Sequence, residues 1–302
     1  MKLAVLGMTV VLLGGPAVAT ADKLDDSFQS LKDAVAKKDI KQVKSLVAEL
    51  GPMVKQIVTA TGPQGEYDAT NWGEHVAYAK SVGEYCEYGL FAMAIQATPA
   101  DTVELTAALE QQNPASKYLD GAYLPYFMAL NSTGAGAKIP AIAAKALEHH
   151  PDNPDLLSVL MESTYGKQND RALNYANRLI AALGKPKPEV ISAADWERKR
   201  SADLGRAHWM AGMVYCASGT WAAGDRELRA ALPSITGNAG MAGPALFYLG
   251  MANYQLGKMT MNKAKMLEAV KFSQQSAAIP GQFTEQARHN AIVIQTEADR
   301  MH

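Results

Sequence analysis

Apolar residues recur along this chain at helical spacing, and no stretch shows the period-two alternation of a strand. Leu24, Phe28, Leu31 and Val35 share one helical face. After a turn near Lys38-Asp39, a second face runs through Val43, Leu46, Val47 and Leu50, then Met53, Val54 and Ile57. Thr61-Gly62-Pro63-Gln64-Gly65 breaks the pattern. A long helix is predicted over 72–96, through Val76, Tyr78, Val82, Tyr85, Leu90, Phe91 and Ile95. Thr98-Pro99-Ala100-Asp101 opens the next one, with proline in the first turn and an acid near the positive end of the helix dipole.

Further helices are predicted over 117–130, 139–150, 154–165, 171–183, 192–217, 221–235, 244–256, 261–278 and 283–301. The sharpest corner is AAKALEHHPDNPDLL at 143–157: one amphipathic helix ends, Pro151-Asp152-Asn153-Pro154 turns, and the next begins. Asn131 to Lys138 is an inter-helix turn. It lacks the G-x-x-x-x-G-K-[ST] spacing of a phosphate loop, and no strand precedes it.

The corner repeats in weaker form at roughly 34 to 40 residues. From Gly205, the residues His208, Ala211-Gly212 and Tyr215 are followed by Gly224, Leu228 and Ala231. Leu246, Leu249-Gly250, Tyr254 and Pro280 repeat the theme. So do Tyr123, Tyr126, Leu130, Ala143, Ala146 and Pro151, and then Leu157, Leu160-Met161, Ala172 and Ala176. This pattern resembles the tetratricopeptide repeat, W-x₂-L-G-x₂-Y…A-x₃-F…P, over roughly residues 72–300. The resemblance implies an all-α, right-handed superhelical solenoid of antiparallel helix pairs, about five to six pairs plus a C-terminal capping helix. The expected divisions are an N-terminal pair at 22–62, repeats at 70–184, and repeats with the cap at 192–302.

In tetratricopeptide proteins the first helix of each pair lines a concave surface. On that alignment Leu124, Met128 and Asn131 face it in the central pair, Arg206, Trp209 and Met213 in a later one, and Phe247, Met251 and Tyr254 in the next. Trp209 and Phe247 fit core packing equally well. The family's carboxylate-clamping lysines and asparagines are not matched, which argues against recognition of an acidic peptide terminus.

The N-terminus adds an address. Lys2, the apolar run 3–13, Gly14-Gly15-Pro16 and Ala17-Val18-Ala19-Thr20-Ala21 read as a signal peptide over 1–21, cleaved after Ala19 or Ala21. The expected location is periplasmic or secreted, with no membrane insertion after cleavage. A composition 48% hydrophobic and 20% charged is that of a folded protein, and a formal net charge of -1 supplies no field for nucleic acid. Cys86 and Cys216 stand too far apart in a helical stack for a bridge and read as small buried hydrophobes.

No residue pattern announces chemistry. The six histidines include no H-E-x-x-H, and His149-His150 suits a helix C-terminus better than a metal. There is no G-x-S-x-G, S-x-x-K or C-x-x-C. Glu84 and Glu87 read as helix surface, as does the mixed run 195–200 with its three consecutive cations. No catalytic residue, metal or cofactor is expected. The first expectation is a scaffold or adaptor that binds a protein or peptide partner. The alternative is a soluble binding protein for an apolar small molecule, working alongside a transporter, with the 205–215 and 244–254 helices lining its pocket. An enzyme with a dispersed site comes last.

Overall fold

A computed structural model of the protein describes residues 16–62, 66–187, 189 and 191–301. The expected signal peptide lies outside the described residues, except that backbone 16–21 belongs to the first helix. Among the described residues the chain is all-helical, with thirteen α-helices, one 3₁₀ turn and no strand. It divides into two compact units, 1–129 and 130–302.

The first unit contains α1 (Pro16–Ala36), α2 (Ile40–Thr59), α3 (Glu66–Ala94), α4 (Pro99–Gln112) and most of α5 (Leu119–Ser132). Each of α1 to α4 packs on its neighbour in the chain; α1 also reaches α3, and α2 reaches α4. Leu24 and Leu31 of α1, Val43 and Leu50 of α2, Val82 and Leu90 of α3, and Leu105 and Leu109 of α4 are wholly buried. Each such side chain contributes roughly 1.5–3 kcal/mol relative to exposure. The turns are set locally. Asp39 accepts a hydrogen bond from the Gln42 amide, and Thr98 accepts one from the Asp101 amide with Pro99 in the first turn.

The second unit runs through α6 (Ile139–Ala146), α7 (Pro154–Thr164), α8 (Asn169–Leu183), α9 (Ala193–Ala217), α10 (Trp221–Ile235), α11 (Ala239–Met259), α12 (Lys263–Ala277) and α13 (Thr284–Asp299). Contacts again join neighbours, with next-nearest contacts from α7 to α9, α9 to α11 and α11 to α13. Small residues permit the closest approach. A Cβ on Gly212 would lie 2.6 Å from Leu228 Cγ, and one on Gly224 would overlap Cys216 Sγ and stand 3.2 Å from the Cys216 amide nitrogen. Helices α9 and α10 therefore meet where neither glycine can carry a side chain.

Two sequence expectations change here. Helix α6 stops at Ala146, so His149 and His150 lie beyond it in a turn rather than on its last helical residues. The amide of His150 donates to Ala146 O, and the Asn153 side chain then accepts from the Asp155 and Leu156 amides to start α7. The run 195–200 is not uniformly solvated. Lys199 is half-buried, its Nζ 2.5 Å from Asp155 Oδ1 and 2.7 Å from Asp203 Oδ2, tying α9 to the first turn of α7. Arg198 pairs with Asp195, and Arg200 donates to Leu183 O and Glu197.

Candidate aromatic interaction surface

Helix α3 carries Tyr78, Tyr85, Tyr88 and Phe91 at separations of seven and three residues, which place them along one helical side. Helix α1 brings Phe28 against them. The turn after α4 brings Tyr118, so six rings form an unbroken ladder. Phe28 meets Tyr78 at 6.2 Å between ring centroids and Tyr85 at 5.4 Å, both edge to face. Tyr85 to Tyr88 is 5.6 Å, Tyr88 to Tyr118 is 5.9 Å, and Tyr118 stacks on Phe91 at 5.7 Å. These separations fall in the range preferred by interacting aromatic pairs.

Polar contacts fasten the Tyr118 side of the ladder. Glu87 accepts from Asn113 Nδ2 at 2.9 Å and Ser116 Oγ at 2.6 Å, and Glu84 pairs with Lys117 at 2.6 Å. Those two carboxylates, read from the sequence as plain helix surface, fasten the turn that presents Tyr118. Lys32 Nζ sits 4.1 Å from the Phe28 ring centroid, and Lys117 Nζ sits 5.4 Å from that of Tyr118.

Part of this aromatic surface faces water: Tyr78 is 38% and Tyr88 40% exposed, while Phe28 is buried. Tyr78 is pushed up to about 12 by burial and by its hydrogen bond to Asp25. Burial raises Tyr85 and Tyr118 as well. Tyr78, Tyr85 and Tyr118 therefore keep neutral hydroxyls at neutral pH, beside the apolar faces of the rings. That is the combination enriched at the centres of protein interfaces.

The nine residues singled out from the repeat alignment are scattered by environment. On α5, Leu124 is 48% and Met128 63% exposed, and Asn131 is exposed. Arg206 is exposed and pairs with Glu162 at 2.9 Å. Met213 and Phe247 are buried, so their side chains belong to the core. Trp209 is half-buried: it packs against Tyr165 and donates Nε1–H to Met241 O at 2.9 Å. Met251 accepts from Asn290 through sulfur, and Tyr254 donates to Glu297. The alignment therefore mixes exposed and interior positions. The ladder was missed, although tyrosines at 78, 85 and 88 on one helix were a visible signal.

The polar clusters of the second unit are structural pairings. His208 Nδ1 lies 2.7 Å from Glu227 Oε2, and Arg226 takes the other carboxylate oxygen. Asn253, wholly buried, donates to Asp225 at 2.6 Å and to Leu249 O, while Arg229 joins Asp225 to Glu268. Among the described residues, no group of three or more histidines, cysteines or carboxylates could hold a metal ion, and no helix is long and apolar enough to cross a membrane. Cys86 and Cys216 are both free and buried. No protein-family model and no curated protein matches this chain.

Proposed function

We propose that this chain is a non-enzymatic scaffold or adaptor, exported to the periplasm or beyond, that docks a protein or peptide partner on the α1/α3 aromatic ladder. In this reading the helices form antiparallel pairs stacked into a right-handed, tetratricopeptide-like solenoid. The neighbour and next-neighbour packing of both units is consistent with such a stack. The ladder carries the proposal. Six connected rings with two half-open tyrosines make a rigid amphipathic surface, and the apolar core beneath does not need Tyr78 or Tyr88 exposed.

The test is parallel affinity capture from the native cell envelope with the wild-type protein and with Tyr85→Ala/Tyr88→Ala. A photo-crosslinking residue at position 88 supplies a second readout. A partner retained by the wild type, crosslinked at position 88 and lost by the folded double variant supports the reading. Identical capture by both proteins, or no partner for either, overturns it.

A further inference from the structure

A cavity of about 290 Å³ opens in the second unit between the start of α11, the end of α12 and the turn into α13. It shares no residue with the ladder. Its walls include Gly240, Gly243, Pro244, Ile279 and Phe283, with Ser276 contributing a hydroxyl, and no charged side chain lines it. The flat surfaces of a proline ring, a phenyl ring and bare glycine backbone suit a planar guest. An apolar cavity of about 150 Å³ already holds benzene, so this space matches a fused bicyclic ring.

Gln282 adds a side-chain amide to the wall, and two further polar groups beside it are placed to accept. Pro244 lies inside α11 and has no N–H, so it cannot donate to the carbonyl of Gly240 one turn earlier. Ser276 Oγ spends its proton on Gly243 O at 2.9 Å, which leaves the hydroxyl oxygen as an acceptor. Gly240, Pro244 and Ser276 all border the cavity. A guest with a donor group is matched there, and a charged guest meets no counter-charge.

We propose that this cavity is a binding site for one small, neutral, planar ring compound bearing a single N–H or O–H donor. The space depends on missing side chains. A Cβ at Gly243 meets only Ile279, at 3.4 Å, and one at Gly240 meets only Asn238 Oδ1, at 3.3 Å. A Cβ at either position thus meets side-chain atoms alone outside its own helix, so larger residues there are the means of filling the cavity.

Indole, 1-methylindole and indole-3-acetate are the probes, titrated against the full chain by saturation-transfer NMR and calorimetry. Indole is expected to bind saturably at one site per chain. The methylated and anionic analogues should bind at least about tenfold more weakly, because one lacks the donor and the other brings an unpaired charge. Gly243→Met and Gly240→Leu should each weaken indole about tenfold or more while keeping the wild-type circular dichroism spectrum. If Gly243→Met fails to fold, Gly240→Leu at the exposed helix start carries the same test. Absence of saturable indole binding overturns the proposal. So does equal binding of all three probes, or wild-type affinity in a folded, filled variant. Loss of indole binding in Tyr85→Ala/Tyr88→Ala would place the site on the ladder and also overturn it.

Discussion

Replacing Lys199 with methionine tests the buried charge cluster that joins α7 and α9. Methionine keeps most of the volume and removes the charge, so the change isolates electrostatics from packing. In the native protein one ammonium lies 2.5 Å from Asp155 Oδ1 and 2.7 Å from Asp203 Oδ2, and the three side chains are only 15%, 8% and 11% exposed. Burial pulls the Lys199 pKa down, but the attraction of Asp155 and Asp203 outweighs it and leaves the value raised. A raised lysine stabilises fully below its unfolded value of about 10.4, and that contribution is lost as pH climbs through the folded value. At neutral pH the cluster is therefore at full strength.

Without the ammonium, the two carboxylate oxygens that shared it are left at most about 5 Å apart. At an effective dielectric of about 20 their repulsion is about 3 kcal/mol, and the lost charge-assisted hydrogen bonds bring the total to about 3–5 kcal/mol. Tryptophans 196, 209 and 221 all lie in the second unit, so urea unfolding followed by tryptophan fluorescence reports on it. The loss should shrink near pH 4, where a carboxylate can take up a proton, and Lys199→Met/Asp155→Leu/Asp203→Leu should recover most of it. A loss under about 1 kcal/mol at pH 7, or one equal at pH 7 and pH 4, would refute the reasoning.

Three further outcomes follow from packing and burial. Gly224→Ala should destabilise by about 2 kcal/mol despite alanine's better helix propensity, because its methyl has no room between α9 and α10. Gly73→Ala, exposed in α3 with open space around it, should instead stabilise by about 0.5–1 kcal/mol, and equal effects at the two sites in chemical denaturation would contradict the packing argument. Burial pushes the Cys86 and Cys216 thiols up to about 12, so at pH 8 only roughly one in 10⁴ is thiolate. Ellman's reagent should leave both untouched in the native protein and titrate both after denaturation, and rapid native labelling of either would place it outside the core.

Helix type and position were readable because each helix buries an apolar stripe with its own period. Leu24, Leu31, Val43 and Leu50 lie at helical spacing and are wholly buried. The corner at 143–157 was also legible, since proline and asparagine start a helix by local rules. Its histidines were not, because Leu147 keeps the helical spacing from Ala143 and no breaker stands at 148–150, while the backbone has already left the helix. Lys199 looked like one more surface cation. Its burial depends on Asp155, 44 residues earlier, and no local pattern carries that separation.

By itself, then, the sequence determined that the chain is helical, where its helices turn, and that no familiar catalytic or metal motif is present. These are properties of residues a few positions apart, where dihedral preference, capping and periodicity act directly. Tertiary structure alone decided which apolar side chains become core and which become surface. It buried Met213 and Phe247, left Tyr78 and Tyr88 half open, and joined Phe28 to Tyr85 across 57 positions through the packing of α1 on α3. An amphipathic stripe specifies that a face must be covered, but the partner helix that covers it, and the edge it leaves bare, are set by packing geometry across the whole unit.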